Sequence, residues 1–351
     1  MKILVTGAKG FVGQNLVANL KNIQQGKNRT RPALHIDDIY EYDLQSTPQE
    51  LDEYCAAADF VFNLAGVNRP KEQSEFMQGN FGFASTLLAT LKKHGNTCPV
   101  MLSSSIQATL IGRYGESDYG KSKLAGEELF FAYAEETGAQ VLVYRFPNLF
   151  GKWCRPNYNS AVATFCNNIA NDLPIQVNDA SVELELLYID DLIEEMLDAL
   201  EGKAHRCNYD GLVPQPATDG RYCYAPMTHK VTLGEIVELL DLFKKQPQTL
   251  LLPEIPYNLN QAMTCHDDEK LPLGVMPMFA LGNARLRDIH RELAAVQCLQ
   301  QLRKAAALVL VHLQVEDGLL CRKVGQIGRI KLFRKAVVRN LRQQQRLRLL
   351  L

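Results

Sequence analysis

The stretch VTGAKGFVG, Val5–Gly13, decides the fold because its three glycines stand between an apolar strand and a helix with apolar residues on one side. Glycine permits a tight turn and lets the main chain approach a pyrophosphate, which then lies at the N-terminus of the helix. An ordinary glycine-rich turn could carry the same letters, but the position at the first strand–helix junction favours a dinucleotide site. The residues expected to line this site are Gly7, Gly10, Phe11, Val12 and Gly13.

Strand-like and helix-like segments alternate through the first half of the chain. The runs that predict strands are KILVTG, DIYEYD, ADFVFNLAG, CPVMLSSS and AQVLVYRF. Helical patterns follow the first, third and fourth of them, and the last of these helices ends at Gly138. This alternation predicts an α/β fold with a doubly wound parallel sheet of the Rossmann type. We expect a dinucleotide-binding core in residues 1–150 and a smaller, interleaved substrate-binding lobe in residues 151–256.

The composition favours a cytoplasmic protein. Hydrophobic residues make up 46% of the chain and charged residues 22%, as in ordinary globular proteins. The nine cysteines include no CxxC pair, which indicates reduced thiols and no metal site. No apolar run approaches the roughly 20 residues that span a bilayer, so we expect no membrane insertion.

The end of the second predicted strand carries the residues that would select the cofactor. Asp43 and Leu44 stand there, where an acidic side chain binds the ribose 2′-hydroxyl of NAD and a basic one accepts the 2′-phosphate of NADP. Asp43 would contact the ribose or, equally, the adenine edge. Basic residues in the preceding loop would meet a phosphate or simply face solvent, and these are Lys27, Arg29 and Arg31. These residues leave the choice between NAD and NADP open.

Two further motifs supply groups for proton transfer. SSSIQAT follows the fourth strand, and YGKSK places Tyr119 and Lys123 four residues apart on one face of the next helix. A nearby ammonium lowers the pKa of a phenol, so that Tyr119 could donate a proton near neutral pH. The spacing alone is common in amphipathic helices. Its weight comes from the order of the motifs: the glycine triad, LAG, a serine-bearing strand end, and then the Tyr–Lys pair.

In that order, the motifs TGAKGFVG, NLAGVNRP, LSSSIQA, YGKSK, RFPNLFG and YIDD resemble the extended short-chain dehydrogenase/reductase family over residues 1–191. The resemblance implies that Ser105, Tyr119 and Lys123 are the catalytic residues, and that the last two also contact the cofactor. It further implies a set of residues along the dinucleotide and its nicotinamide end, namely Leu64, Ala65, Gly66, Pro147 and Asn148.

Longer stretches, including RFPNLFGKWCRPNYNSAVATFCNNIANDLPIQVND and VTLGEIVELL, are similar to the capsule-biosynthesis reductases of the UDP-N-acetyl-L-fucosamine pathway. This resemblance covers residues 1–252 and implies reduction of the 4-keto group of a UDP-linked 2-acetamido-2,6-dideoxyhexulose. It also implies NADP(H) as the preferred cofactor, with NAD(H) not excluded, and a homodimer. The implied pocket for the nucleotide sugar is formed by Asn148, Lys152, Arg155 and Asn159.

Other functions stay open at this point. Sugar 4,6-dehydratases of this superfamily carry an Asp–Glu pair after the catalytic Thr, where this chain has Ile106 and Gln107, so reduction is favoured over dehydration. A nucleotide-sugar 4-epimerase would use the same Ser, Tyr and Lys and keep its cofactor bound. A sensor or scaffold would bind the dinucleotide without turnover, but it would have no need of a proton donor.

Residues 257–351 do not continue the resemblance. The capsule reductases continue into a cupin, a small β-barrel with a His-rich metal motif, whereas residues 281–351 here hold 15 Lys or Arg against 4 Asp or Glu. Such a segment would bind nucleic acid or anionic lipid, or would not be a selected fold. We favour a third interpretation, a reading-frame change, because the codons of Gly282–Glu292, read one nucleotide later, can encode a segment similar to the start of that cupin. We therefore expect a non-native basic tail and no nucleic-acid partner.

Overall fold

The computed structural model describes residues 1–70, 72–158 and 160–249 of the chain. The strands of this part are β1 (Lys2–Thr6), β2 (Asp38–Tyr42), β3 (Phe60–Asn63), β4 (Val100–Ser105), β5 (Val141–Phe146), β6 (Asn148–Phe150), β7 (Glu183–Tyr188), β8 (Arg206–Asp210), β9 (Val213–Pro216), β10 (Tyr222–Cys223) and β11 (His229–Thr232). The helices are α1 (Phe11–Gln24), α2 (Pro48–Ala57), α3 (Ser74–Phe76), α4 (Phe83–Lys93), α5 (Asp118–Thr137), α6 (Ala161–Ala170), α7 (Ile189–Leu200) and α8 (Leu233–Thr249), with a π-helical segment, Met77–Gly82, between α3 and α4.

The larger sheet has the described strands in the order β2-β1-β3-β4-β5-β10-β8-β9. From β2 to β10 the neighbouring strands run parallel, and β8 and β9 are antiparallel additions. The five strands predicted in the first half are all present, and the α/β fold is confirmed. Because parallel strands end at the same edge of a sheet, the segments that follow β1, β3, β4 and β5 meet along one edge.

Alternating side chains along the parallel strands build a core on each face of the sheet. On β1, Ile3 and Val5 pack into the core that contains α1, α6, α7 and α8, whereas Leu4 packs into the core that contains α2, α4 and α5. The strands β3, β4 and β5 alternate in the same way. Both faces of β1, β3, β4 and β5 are therefore covered, which explains why these four strands appear in the sequence as largely apolar runs.

Helix boundaries follow local chemistry. The Ser117 side chain accepts a hydrogen bond from the Gly120 N–H at 2.9 Å at the start of α5, and the helix ends at Gly138 with φ 73°. Helix α2 was not predicted, although Thr47 and Glu50 form a reciprocal capping box at its start. The stretch from α3 through the π-helical segment and the helix α6 were also missed.

The later strands of the chain are divided between two sheets, and the boundary predicted at residue 150 stays a prediction. Strands β8, β9 and β10 extend the larger sheet, whereas β6, β7 and β11 form a separate sheet in the order β11-β7-β6. Among the described strands, β9 lies at one edge of the larger sheet and contains Pro214 and Pro216. Within the described ranges, no helix is both long and apolar enough to cross a membrane. The predicted tail, residues 257–351, lies outside the described residues.

Candidate active site

The turn after β1 is packed so closely that glycine is required at two positions. Gly7 has φ 67°, and a Cβ there would lie 2.8 Å from the main-chain N of Ala65. A Cβ on Gly13 would lie 2.8 Å from the Cα of Ala8 and would overlap the Gly7 carbonyl oxygen. A bound pyrophosphate could therefore be approached by bare main chain at the N-terminus of α1. The turn also holds Gly10, Phe11 and Val12.

Asp43, directly after β2, forms a hydrogen bond to this glycine turn. Its carboxylate accepts hydrogen bonds from the main-chain N–H of Lys9 at 2.7 Å and of Leu44 at 2.8 Å. The Leu44 side chain is fully exposed. Arg31, in the loop before β2, is ion-paired with Glu194 of α7 at 2.7 Å. Arg31 is also paired with Asp198 and Glu201, so a cofactor phosphate there would have to compete with three carboxylates.

The segment after β3 lies beside the lysine of α5. A Cβ on Gly66 would lie 3.0 Å from the Lys123 Nζ and 2.8 Å from the Asn80 Oδ1. The hydroxyl of Thr6, at the end of β1, accepts a hydrogen bond from the Ala65 N–H at 3.3 Å. The absence of a side chain at Gly66 thus leaves room between the two strand ends and the ammonium. The predicted cofactor residues of this segment are Leu64, Ala65 and Gly66.

Asn80, in the π-helical segment, is a positioning residue that the sequence analysis missed. Its Oδ1 accepts from the Val67 N–H at 2.9 Å, while its Nδ2 donates to the Val67 O at 3.1 Å and to the Ser122 Oγ at 2.9 Å. Ser122 in turn donates to the Tyr119 carbonyl at 2.8 Å. Asn80 therefore ties the loop after β3 to α5. Its partners lie 13 and 42 residues away in the chain, so sequence spacing could not reveal them.

Ser105, Tyr119 and Lys123 converge at the carboxyl end of β4. The Ser105 side chain lies close enough to Tyr119 to lower the pKa of the phenol, and the Lys123 Nζ lies 5.7 Å from the centre of the Tyr119 ring. The Lys123 ammonium donates to the main-chain O of Ser103 at 3.0 Å. A phenol, a hydroxyl and an ammonium thus share one small region beside Gly66.

Burial sets the ionisation of these groups. Contrary to the expectation from the sequence, the pKa of Tyr119 lies above its ordinary value, because burial outweighs the lowering effect of Ser105. Burial lowers the pKa of Lys123 to about 8, against the charge of Glu127, which raises it. At neutral pH the phenol is therefore protonated and the lysine is mostly an ammonium. Those are the forms that proton donation to an oxygen anion requires.

Pro147 and Asn148 connect the two sheets near this region. Pro147 follows β5, and Asn148 is the first residue of β6. The Asn148 Nδ2 donates to the main-chain O of Glu185 on β7 at 3.0 Å. One N–H of the Asn148 amide is thus used within the small sheet, which leaves its second N–H and its oxygen for a bound molecule.

The predicted cations of the substrate pocket differ in their surroundings. The Lys152 Nζ lies 2.6 Å from the Asp190 Oδ1, an ion pair that a diphosphate would have to share or displace. The Lys152 carbonyl accepts from the buried Asn15 of α1 at 2.9 Å, so this loop is anchored to the dinucleotide side. Arg155 is exposed. Asn159 lies outside the described residues.

Two further residues that the sequence analysis missed, Phe76 and Tyr158, also lie near Tyr119. The ring of Phe76 packs against the Tyr119 ring with 5.8 Å between their centres, and Tyr158 is close enough for its charge to affect the Tyr119 pKa. Arg69 donates to the Asn157 carbonyl at 3.2 Å. The loop after β3 and the loop after β6 therefore contact each other in the neighbourhood of the phenol.

A sequence model of the NAD dependent epimerase/dehydratase family matches residues 3–209. The matched residues include the glycine turn, the end of β4 and the Tyr–Lys pair of α5. The chain belongs to this family, as its motifs and their order had predicted.

Two similar proteins have names that describe a more specific role. The UDP-2-acetamido-2,6-beta-L-arabino-hexul-4-ose reductase of Pseudomonas aeruginosa is 37% identical over 263 residues, covering 75% of this chain and 63% of the relative. The crystal structure of the capsular polysaccharide assembling protein CapF from Staphylococcus aureus matches with a TM-score of 0.61 and 42% identity, over 75% of this chain and 63% of that one. The chain therefore spans less than two thirds of the length of these two proteins.

A more distant structure shares the fold. The UDP-glucuronic acid 4-epimerase of Bacillus cereus, solved in complex with NAD, matches with a TM-score of 0.51 and 22% identity, over 69% of this chain and 83% of that one.

Proposed function

We propose that this chain reduces the 4-keto group of a UDP-linked 2-acetamido-2,6-dideoxyhexulose, with NADPH as the preferred donor. The observation that carries the proposal is the convergence of Ser105, Tyr119 and Lys123 beside a glycine-lined turn suited to a dinucleotide. The named reductase from P. aeruginosa, at 37% identity, supports this choice of substrate. The family description supports a nicotinamide cofactor.

In this proposal the cofactor would be held by the glycine turn and by the segment after β3, where Gly7, Gly13 and Gly66 leave the main chain bare. A bound nicotinamide supplies the hydride that adds to the C4 carbonyl carbon. The carbonyl oxygen gains negative charge as the carbon gains the hydride. The protein has to position the carbonyl, stabilise this charge and supply a proton.

Three side chains handle that developing charge. Tyr119 donates its phenolic proton to the oxygen, so that one hydride and one proton together convert the ketone to an alcohol. Ser105 donates a hydrogen bond to the same oxygen and holds it beside the phenol. Lys123, as an ammonium, stabilises the phenolate that remains until a proton from solvent restores it.

The proposed reaction is distinguished from epimerisation by stoichiometry. We expect about one NADPH oxidised per 4-keto UDP-sugar consumed, followed as the loss of nicotinamide absorbance, with NADH used less well. An epimerase would instead convert a 4-hydroxy UDP-sugar to its epimer without net cofactor oxidation, and that result would replace the proposal. A dinucleotide-binding protein that turns over no 4-keto UDP-sugar would be a sensor or scaffold.

The same substitution at two tyrosines provides a matched control for this assay. Tyr119→Phe should bind NADPH as the parent does but lose roughly 10²- to 10⁴-fold in turnover, because the proton donor is gone. Tyr114→Phe removes the hydroxyl of a nearby tyrosine whose partner is Arg113, and it should keep the parent rate. Equal losses in both variants would contradict the role of Tyr119.

A homodimer and a cytoplasmic location belong to the same proposal. The resemblance to capsule reductases supports the dimer, and the absence of paired cysteine motifs supports a reducing compartment. Light scattering coupled to size-exclusion chromatography tests the dimer directly, and a monomer mass at all concentrations would remove it.

A further inference from the structure

Glu127 of α5 is a buried ionisable group that the proposed mechanism does not use. Its side chain is fully buried, one turn beyond Lys123 on the same helix. Removing a carboxylate from water is costly unless charged partners and hydrogen bonds replace the lost hydration. Glu127 is therefore expected to have specific partners.

Those partners hold both carboxylate oxygens. The Arg145 Nε donates to Oε1 at 2.9 Å and the Arg145 Nη2 donates to Oε2 at 2.6 Å, while the Ser104 Oγ donates to Oε1 at 2.5 Å. Arg145 is itself fixed, since its guanidinium lies 4.0 Å from the centre of the Tyr222 ring and donates to the Tyr222 hydroxyl at 2.9 Å. The carboxylate cannot turn away from α5 without breaking this set of contacts.

Lys123 and Glu127 both form hydrogen bonds to strand β4. Lys123 donates to the carbonyl of Ser103, and Glu127 accepts from the hydroxyl of Ser104, the next residue of β4. Residues four apart lie on one face of a helix, with Cβ atoms about 5–6 Å apart. Lys123 is 6% exposed, so water screens its ammonium poorly. The Glu127 carboxylate is thus a fixed negative charge next to a desolvated positive one.

The other groups around Lys123 add no second negative charge. On α5 the neighbouring titratable groups are Tyr119, which is neutral at pH 7, and Glu127 itself. From β4 comes the uncharged carbonyl of Ser103, and from the π-helical segment the amide of Asn80. From β5 comes Arg145, a positive charge that lies behind the carboxylate. Among the described residues, Glu127 is thus the charge that favours the ammonium form of Lys123.

We propose that Glu127 is a positioning residue of the active site: anchored by Arg145 and Ser104, its buried carboxylate is the counter-charge that keeps Lys123 an ammonium. The inference rests on the proposed function only for the catalytic role of Lys123. The protonation state of Lys123 can be measured in the free protein, without substrate or cofactor. A failed reductase assay would therefore neither support nor contradict the proposed effect of Glu127 on Lys123.

The test is a pH titration of Lys123 by NMR. The full chain is labelled with lysine carrying ¹³C at Cε, whose chemical shift reports the ionisation of Nζ, and the resonance that disappears in Lys123→Arg assigns the peak. In Glu127→Gln the Lys123 pKa should fall below its parent value by about one unit or more, since an opposite charge within reach is worth about 1–3 units. A folded Glu127→Gln protein in which Lys123 titrates as in the parent would overturn the proposal.

Two further variants separate charge from structure. Glu128→Gln removes the neighbouring carboxylate of α5, which is exposed and paired with Arg221 at 3.1 Å, and it should leave the Lys123 titration unchanged. Glu127→Gln combined with Arg145→Gln keeps a hydrogen-bonding amide pair while removing both buried charges, and it decides the question if the single variant does not fold. Because Arg145 lies behind the carboxylate, the Lys123 pKa of the double variant should still lie below the parent value, and a parent value there would overturn the proposal.

Discussion

At the scale of single residues, the ionisation of Lys123 sets the pH range in which the proposed site can work. Burial favours its neutral amine, Glu127 favours its ammonium, and the balance gives a pKa of about 8. The pKa of Tyr119 is raised by burial, so the phenol keeps its proton over a wider range than the lysine does. The lysine is therefore the first of the two groups to lose its working form as the pH rises.

We predict that kcat/KM for reduction falls as the pH rises through about 8, because the ammonium form of Lys123 is lost there. Lys123→Arg should be slower but should keep its charge, so its alkaline limb should move to higher pH. Initial rates measured between neutral and alkaline pH check both expectations. An alkaline limb at the same pH in both proteins would assign it to another group.

Ser105 gives a second residue-level prediction. Ser105→Ala should lower kcat by roughly 10²- to 10³-fold with little change in KM, since the hydroxyl acts on charge that develops only during the reaction. Ser105→Thr, which keeps a hydroxyl, should retain most of the rate. A loss in Ser105→Ala that appears mainly in KM would indicate substrate binding instead.

Residue spacing predicted Tyr119 and Lys123 but not Glu127 or Asn80. Tyr119 and Lys123 form a local pattern on one helix, preceded by a serine at a strand end. Glu127 looks like any helical glutamate until Arg145, 18 residues away, is found against it. The roles of such residues depend on tertiary contacts, which a single sequence does not display.

At the scale of elements, the glycines of the first turn and of α5 have opposite environments. A Cβ on Gly13 would overlap main-chain atoms of the turn, whereas a Cβ on Gly126, within α5, would meet no atom within 4 Å. The first glycine is therefore required by packing, while the second weakens its helix through its conformational freedom.

The same substitution should thus have opposite effects at the two positions. Gly13→Ala should destabilise the protein by about 1–3 kcal/mol and weaken dinucleotide binding, because the turn must move. Gly126→Ala should stabilise it by about 0.5–1 kcal/mol. Chemical denaturation of both variants measures the difference, and destabilisation by Gly126→Ala would show that the space beside α5 is needed.

Element-level prediction from the sequence worked best where the apolar runs were long. Four of the five parallel strands, β1, β3, β4 and β5, were predicted because they are apolar and buried on both faces, whereas β2, with no fully buried residue, was predicted from its tyrosines and isoleucine. Helix α2 was missed although Thr47, Pro48 and Glu50 carry a helix-start pattern, because only Leu51 and Cys55 of the helix are buried and no long apolar stripe marks it. The π-helical segment was missed because its conformation depends on the bonds of Asn80 to other parts of the chain.

At the scale of the whole molecule, a buried polar cluster joins the parallel sheet to α7 and to the segment before β8. The Tyr144 hydroxyl of β5 donates to the Glu195 Oε1 of α7 at 2.6 Å, and the His205 N–H donates to the same oxygen at 3.0 Å. The His205 ring nitrogen lies 2.6 Å from the other oxygen. The cluster therefore fixes β5, α7 and the start of β8 relative to one another.

Tyr144→Phe should destabilise the protein by about 1–3 kcal/mol, because it leaves a buried carboxylate oxygen with one partner fewer. Tyr54→Phe is the control, since no described residue bonds the Tyr54 hydroxyl, and it should change stability little. Urea unfolding of the two variants and the parent measures these differences. Equal stability of Tyr144→Phe and the parent would mean that water replaces the lost bond.

The basic segment after residue 257 also has a test at the level of the gene. If a reading-frame change produced it, the nucleotide sequence translated one base later from about codon 280 should encode a His-rich metal motif. Determining that nucleotide sequence decides the matter, and a shifted frame that encodes no such motif would refute the interpretation.

The prolines of β9 have a consequence for how molecules of this protein can associate. Residues 211–212 form the loop between β8 and β9, and Asp210 and Val213 are the pair that closes this hairpin, so the Val213 N–H is directed towards β8. The N–H groups that would face away from β8 belong to positions 214 and 216, and both are prolines. Proline has no N–H to offer, and another strand cannot pair fully with such a border. The prolines therefore prevent edge-to-edge aggregation through β9. Association through paired strands would have to use another edge of the described sheets, such as β2, and not β9.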